Sequence, residues 1–373
     1  HSDQEDTDCA QRTIKSPAQH YKGRDDFIIA FPVVFVSRFI YHKFMAGATQ
    51  AKSYDIPTIL VIFGITGDLA KKKLIPALFS LYQGGMLPTH FRVVGFSRRE
   101  LSQDQFRQYV EDIIAGHGKS THGDLAPFLT LFSFACGKFE EENAYEALRD
   151  LLGSIDRKWA LCANKLFYCA VNPEFYKIIF KNLAARCLTD SCGPDGGWTR
   201  VIVEKPFGHD LATARELDEF LAKLFTEDRL YRIDHYLAKE MLQNILLFRF
   251  ANNLFEKSWS NETIEQISIR LWEKIGAEDR GSFYDSVGAL RDVGQNHLLQ
   301  MLALVTMERP ENFRAYAIRA QRAEILKKLI IPSRRDIVRT GFRAQYQGYR
   351  AIAGVASDSD TETYFKIRAE LSH

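Results

Sequence analysis

The sequence predicts an α/β chain whose amino-terminal part is a doubly wound parallel sheet, and three observations carry that prediction. Thr58–Phe63 (TILVIF) is an unbroken apolar, β-rich run, the pattern of a strand buried on both faces. A turn of small residues, Gly64-Ile65-Thr66-Gly67-Asp68-Leu69-Ala70, follows it directly, and Phe91–Phe96 (FRVVGF) then reads as a second strand. The spacing between the two strands suits one helix, so the segment is a βαβ unit. A length of 373 residues adds a second domain.

Taken in order, the first 45 residues differ from the rest. They are polar and mixed up to Asp26, and Phe27–Val36 is a short apolar run broken by Pro32. That run falls short of the roughly 20 apolar residues needed to span a bilayer. Acidic residues precede it and no small-residue cleavage site follows, which is not the order of a secretory signal. Met45 opens a small polar lead into the first strand, and the expectation is that Met45 is the native start. Residues 1–50 are therefore left unassigned, 51–232 form the nucleotide-binding domain, and 233–373 form a carboxyl-terminal domain. No internal repeat or low-complexity tract is visible.

The first turn is where chemistry enters. Lys71–Gln83 reads as a helix closed by Gly84-Gly85, so the small residues before it sit between a buried strand and a helix amino terminus. Backbone N–H groups there can approach a pyrophosphate. The spacing Gly64, Gly67, Ala70 departs from G-x-G-x-x-G, so its position carries more weight than its glycines. The second strand ends in Ser97-Arg98-Arg99, with no carboxylate before Glu100. An acid in that place holds a ribose 2′-hydroxyl, whereas a cation suits a 2′-phosphate. Arg98, helped by the Thr66 hydroxyl, therefore points to NADP. The alternative is a solvated basic turn.

Two later segments repeat the pattern of a strand followed by a loop. Phe167–Val171 runs into Asn172-Pro173, and Val201–Val203 runs into Glu204-Lys205-Pro206-Phe207-Gly208. Ligands of open α/β sheets bind outside the carboxyl ends of the strands, which puts Lys205 within reach of cofactor and substrate. A surface lysine beside a turn is the bland alternative.

Arg232–Glu240 (RIDHYLAKE) is the densest group of functional side chains in the chain. If the segment is helical, His235 and Lys239 lie four apart on one face with Tyr236 beside them, and donors so placed suit a phosphate dianion. A solvated, amphipathic helix start fits the same residues. Further on, Leu290, Val293, His297, Met301 and Leu304 fall at helical spacing, which puts His297 on an apolar stripe. It is either a satisfied core residue or a general base held by a carboxylate. Asp234 is a candidate for that carboxylate, although sequence alone does not bring the two together.

Composition excludes several function classes. With 49 Lys+Arg against 47 Asp+Glu, nothing global points to nucleic acid or an anionic membrane. Cys9, Cys136, Cys162, Cys169, Cys187 and Cys192 make no C-x-x-C pair and no metal-ligand spacing. The expectation is reduced thiols in a cytoplasmic protein without a metal.

The blocks GITGDLAKKKLIPALFSLY, GFSRRELS, VEKPFGHDL, RIDHYLAKE and RDVGQNHLLQM, in this order, resemble the glucose-6-phosphate dehydrogenase family. The similarity runs from about Ile56 to the carboxyl terminus. It implies a Rossmann-type coenzyme domain followed by an α+β domain built on a largely antiparallel sheet. It also implies oxidation of the anomeric carbon of β-D-glucose 6-phosphate to the lactone, with hydride passing to NADP, as the first step of the oxidative pentose phosphate pathway. Homo-oligomers are expected for the complete protein.

The resemblance also implies roles at matching positions. His297 looks like the general base and Asp234 like its orienting partner. His235, Tyr236 and Lys239 resemble phosphate ligands, while Lys205, Glu273 and Asp292 match positions holding sugar hydroxyls. Gly64, Thr66, Gly67, Asp68, Leu69 and Arg98 match the coenzyme turn and 2′-phosphate site. Tyr168, Pro173 and Lys205 fall near the nicotinamide.

Two departures from the family pattern stand out. Ala238 replaces the usual glycine of RIDHYLGKE, a methyl whose overpacking at a tight helix contact costs at most roughly 1–3 kcal/mol. The chain also stops at His373 inside an expected strand, Thr363–Leu371, whereas family members continue with further strands, another substrate-side lysine and much of the dimer surface. An exposed strand edge and apolar sheet face would make such a piece aggregation-prone and nearly inactive. The rival reading is therefore an NADP-binding fragment without turnover.

Overall fold

The computed structural model describes residues 56–118, 125–190, 196–208, 210–251 and 253–372. The expectations about residues 1–50, including a start at Met45, lie outside the described residues. The chain divides into two compact units between Ile233 and Asp234.

The first unit is built on a six-stranded, all-parallel sheet in the order β3-β2-β1-β4-β5-β6. Its strands are β1 (Thr58–Phe63), β2 (Phe91–Ser97), β3 (Phe132–Cys136), β4 (Asn164–Cys169), β5 (Thr199–Val203) and β6 (Leu230–Arg232). The order reverses between β1 and β4, the topological switch point of a doubly wound fold. The uninterrupted apolar run of β1 has a direct cause. Ile59, Val61 and Phe63 face one buried hydrophobic layer, and Leu60 and Ile62 face the other.

The helices that cover these layers show matching periodicity. Helix Glu142–Trp159 buries Ala144, Tyr145, Leu148, Leu152 and Ile155 on one side of the sheet. Helix Gln103–Gly116 buries Phe106, Val110, Ile113 and Ile114 on the other. A capping box starts it, with Ser102 Oγ accepting from Gln105 N at 3.2 Å and the Gln105 side chain accepting from Ser102 N at 2.8 Å.

The helix after the first turn differs from expectation in its winding. It starts α-helical at Asp68 and Leu69, widens to a π-turn over Ala70–Leu74 and is α-helical again over Ile75–Gln83. Pro76 has no N–H, and its ring would press on the carbonyl four residues back. The wider turn relieves this, with Ile75 N–H donating to the Ala70 carbonyl.

The second unit is mainly helical. Glu240–Phe250, Gly281–Ala289, Leu299–Thr306 and Ala315–Lys327 are α-helices, and Leu290–Leu298 is wound as a π-helix. Antiparallel pairing joins β8 (Gly341–Ala344) to β9 (Tyr364–Ile367) and β7 (Leu329–Ile330) to β10 (Glu370–Leu371). The strand expected over Thr363–Leu371 is thus two strands with different partners: Arg368 N, donating to the Thr340 carbonyl at 2.8 Å, is the last step in register with β8, and Glu370 and Leu371 beyond it pair with β7. Buried Arg249 holds the end of Leu299–Thr306, donating to the carbonyls of Leu304 (2.8 Å) and Met307 (2.9 Å).

The expectation of six reduced thiols needs correction. Cys136, Cys169 and Cys187 are free, but Cys162 is disulfide-bonded. Cysteine spacing along the chain does not report which sulfurs the fold brings together. Among the described residues no helix is long and apolar enough to cross a membrane.

Candidate functional site

The first unit carries a glycine-lined turn at its switch point. Gly64, directly after β1, has φ +78°, and a Cβ there would lie 2.5 Å from the Ala170 carbonyl oxygen beyond β4. Only glycine combines that conformation with so close an approach of two backbones. Gly67 N–H donates to the Gly64 carbonyl at 2.8 Å and Lys71 N–H to the Gly67 carbonyl at 3.0 Å, so the turn feeds straight into the helix. This shape, with helix N–H groups opening at a strand end, fits a dinucleotide pyrophosphate.

Around the turn, the expected coenzyme residues take different surroundings. The Thr66 hydroxyl shares a 2.8 Å hydrogen bond with that of Ser97, the last residue of β2. It therefore ties the turn to the strand that presents Arg98, and it is already engaged. Arg98 is exposed. Asp68 pairs with Lys72 at 3.2 Å on the surface, and Leu69 packs against the hydrophobic layer.

At the ends of β4 and β5 a buried hydrogen-bonded group forms. Tyr168, 7% exposed, donates its hydroxyl to the Glu204 carboxylate, and Glu204 itself is 9% exposed. Burial and the adjoining carboxylate push the Tyr168 phenol well above its ordinary range. Tyr176, fully buried, accepts from Glu204 N at 3.1 Å and donates to Glu204 O at 3.0 Å. Sequence reasoning singled out Tyr168 here but neither Glu204 nor Tyr176. Pro173 begins a short 3₁₀ turn capped by Asn172, and half-buried Lys205 follows Glu204.

The second unit assembles the acid–imidazole pair. Asp234 Oδ1 lies 2.7 Å from His297 Nδ1, with the two side chains 15% and 4% exposed. An ionised carboxylate can only accept, so Nδ1 carries the proton and Nε2 is the basic nitrogen. His297 lies in the π-helix, a winding that departs from the 3.6-residue stripe expected there and recurs at functional sites.

Segment 234–239 is not helical, contrary to the helical reading. It is a run of turns, and the helix begins at Glu240. Asp234 is the cause, since its side chain accepts from Tyr236 N at 3.0 Å and its carbonyl accepts from Leu237 N at 3.1 Å. Such an Asx turn competes with helix. The turns bring two of the three expected phosphate ligands, Tyr236 and Lys239, together with His297. The Tyr236 ring stacks on His297 with centroids 4.0 Å apart, and Lys239 Nζ lies 3.6 Å over the Tyr236 ring. The Tyr236 ring thus contacts both the imidazole and the ammonium. His235 and Ala238 are exposed, so the Ala238 methyl meets no tight helix contact.

Acidic groups surround this stack. Burial first, then the charges of Glu273, Asp292 and Asp234 and a hydrogen bond to Glu273, raise the Tyr236 phenol above its ordinary range. Glu273 and Asp292 thus share the neighbourhood of the dyad. Arg322, which sequence reasoning did not single out, also interacts with Asp234; burial and nearby Arg319 hold its guanidinium below the usual range, while Asp234 opposes this. Only the fold reveals it, because Arg322 sits 88 positions from Asp234 in an otherwise ordinary helix.

Residues 61–244 match the family profile described as glucose-6-phosphate dehydrogenase, NAD binding domain, and residues 246–373 match the corresponding C-terminal domain. The chain is 39% identical over 322 residues to glucose-6-phosphate 1-dehydrogenase of Chlamydia muridarum, covering 84% of this chain and 64% of the relative. It is 39% identical to that of Streptococcus pneumoniae over 82% of this chain and 63% of the relative. The chain thus spans less than two thirds of the length of these curated relatives. The crystal structure of the Mycobacterium avium enzyme superposes with a TM-score of 0.76 at 35% identity, covering 85% of this chain and 66% of that one. A glucose-6-phosphate dehydrogenase in complex with glucose 6-phosphate does so with a TM-score of 0.78 at 36% identity, covering 87% and 67%. The chain belongs to the glucose-6-phosphate dehydrogenase family.

Proposed function

We propose that this chain carries the machinery to oxidise D-glucose 6-phosphate to 6-phospho-D-glucono-1,5-lactone, with hydride transfer to NADP. The observation that carries the reading is the buried Asp234–His297 pair with Tyr236 and Lys239 stacked on it. His297 Nε2 takes the proton of the anomeric hydroxyl, and Asp234 stabilises the imidazolium that forms. Lys239, His235 and Tyr236 hold the phosphate as charge-assisted donors, and Glu273 and Asp292 accept from sugar hydroxyls. A nicotinamide coenzyme, when bound, accepts the hydride that leaves the anomeric carbon. Gly64, Thr66, Gly67, Asp68 and Leu69 form its pyrophosphate turn, Arg98 binds the 2′-phosphate, and Tyr168, Pro173 and Lys205 belong to the nicotinamide end. The family match and the glycine-lined cradle support this assignment. The complete protein is read as a cytoplasmic homo-oligomer.

The test is NADPH formation at 340 nm by the purified chain with glucose 6-phosphate, beside His297→Asn. A fall in turnover of roughly 100- to 10,000-fold in the variant supports the reading. Turnover that survives His297→Asn refutes His297 as the base. NADP binding without turnover in either protein favours the second reading, a nucleotide-binding piece of such an enzyme.

A further inference from the structure

The pairing of β5 with β4 and β6 ends at Val203, so the next peptide, that of Glu204, lies beyond the sheet ladder. A buried peptide there still needs partners for both its N–H and its C=O. One hydroxyl serves both. Tyr176 Oη accepts from Glu204 N at 3.1 Å and donates to Glu204 O at 3.0 Å. The ring that carries it is fully buried in the hydrophobic layer, against Phe180 at 6.1 Å, so the hydroxyl has a rigid mount. Tyr168 binds the Glu204 carboxylate from β4. The Glu204 residue is therefore pinned through both backbone groups and its side chain, and the residue after it is Lys205.

From this we infer that Tyr176 is a positioning residue for coenzyme binding: its hydroxyl staples the Glu204 peptide and so sets the point from which Lys205 reaches the nicotinamide coenzyme. Tyr176 acts only through its neighbour. The inference rests on the reading of Lys205 as a coenzyme ligand. The staple itself rests on geometry alone.

The experiment compares the full chain with Tyr176→Phe, Lys205→Met and the double variant. It reads NADPH affinity by fluorescence titration and backbone protection of the peptide containing Glu204 by hydrogen exchange. Tyr176→Phe keeps the buried ring and removes only the staple. It is expected to speed exchange at Glu204 and weaken NADPH binding by about three- to tenfold, the range of a single lost hydrogen bond. In the Lys205→Met background the same change should add nothing further. Faster exchange with unchanged NADPH affinity, or penalties that add in the double variant, would overturn the positioning role and leave Tyr176 merely structural. Unchanged exchange would overturn the staple. If Lys205→Met binds NADPH like the parent, the proposal falls through its lysine, and faster exchange in Tyr176→Phe then distinguishes that failure from a failure of the staple.

Discussion

Asp234 and His297, 63 positions apart in the chain, meet in a 2.7 Å hydrogen bond that is almost closed to solvent. A carboxylate fixing Nδ1–H of an imidazole sets the tautomer and orientation of the ring and favours the cation formed when Nε2 accepts a proton. The stack of Tyr236 on the same ring restricts it further. Nothing in this pair is needed to fill a core, where an apolar residue would serve as well.

Asp234→Asn tests that division of labour. The amide retains the shape but can also donate, so it stabilises the opposite tautomer and no longer supports the imidazolium. Turnover with glucose 6-phosphate should fall by about 100-fold or more while the Michaelis constant changes little. Initial rates at saturating coenzyme check this. A variant with full turnover would remove Asp234 from the mechanism.

Gly64→Ala probes the proposed nucleotide cradle. At φ +78° an alanine is strained by about 1–2 kcal/mol before contacts are counted. Its methyl would also meet the Ala170 carbonyl and the Val171 side chain, at 2.5 and 2.7 Å. The strands at the switch point must then part, and NADPH affinity should drop by about tenfold or more. Fluorescence titration measures the affinity, and circular dichroism at the same concentration shows whether the sheet persists.

Much of the first unit was legible in the sequence because its signals are local. The β1 run, the small-residue turn and the strand ending at Ser97 each span fewer than eight residues and declare burial on both faces. The second unit was harder to read. Helical spacing in RIDHYLAKE was a fair inference from its apolar residues Ile233 and Leu237, yet Asp234 spends its side chain on an Asx turn and abolishes the helix. The stack of Lys239, Tyr236 and His297 depends on that turn, and no periodicity encodes it. Glu204 and Tyr176 escaped notice because a buried glutamate and a buried tyrosine look like ordinary residues until their partners are known.

Asp285 gives a pH-dependent stability. Its carboxylate accepts from Ser359, from Ala356 N at 3.1 Å and from the Tyr349 hydroxyl at 3.0 Å, tying the start of the segment that carries His297 to residues 349–361. These bonds, led by that from Ser359, hold Asp285 below the usual carboxylate range. The folded state therefore binds its proton less tightly than the unfolded state, and the stabilisation is present above the unfolded value of about 3.9. It is lost as pH falls from there through the lower folded value. Urea unfolding at pH 7 and pH 3 should show a smaller acid-induced loss in Asp285→Asn than in the parent, although the variant starts less stable at pH 7. Equal losses in the two proteins would rule out Asp285 as a contributor.

The proposed role of Arg98 in choosing the coenzyme is open to a direct test. Arg98 follows Ser97, whose hydroxyl accepts from Arg99 N at 3.2 Å and pairs with Thr66 at 2.8 Å, so the end of β2 and the phosphate turn are held as one piece. The Arg98 side chain is exposed, as a group that engages a solvent-facing 2′-phosphate should be. No carboxylate stands between β2 and Glu100 to receive a ribose 2′-hydroxyl. Arg98→Ala should weaken NADPH binding by roughly 10- to 100-fold through loss of a charge-assisted contact. NADH, which lacks the phosphate, should bind with nearly unchanged affinity, so the ratio of the two constants is the informative quantity. Adding salt should weaken NADPH binding to the parent more than to the variant, because the contact that differs is ionic. If both coenzymes weaken together, Arg98 shapes the turn instead of reading the phosphate, and the choice of coenzyme lies elsewhere in the cradle.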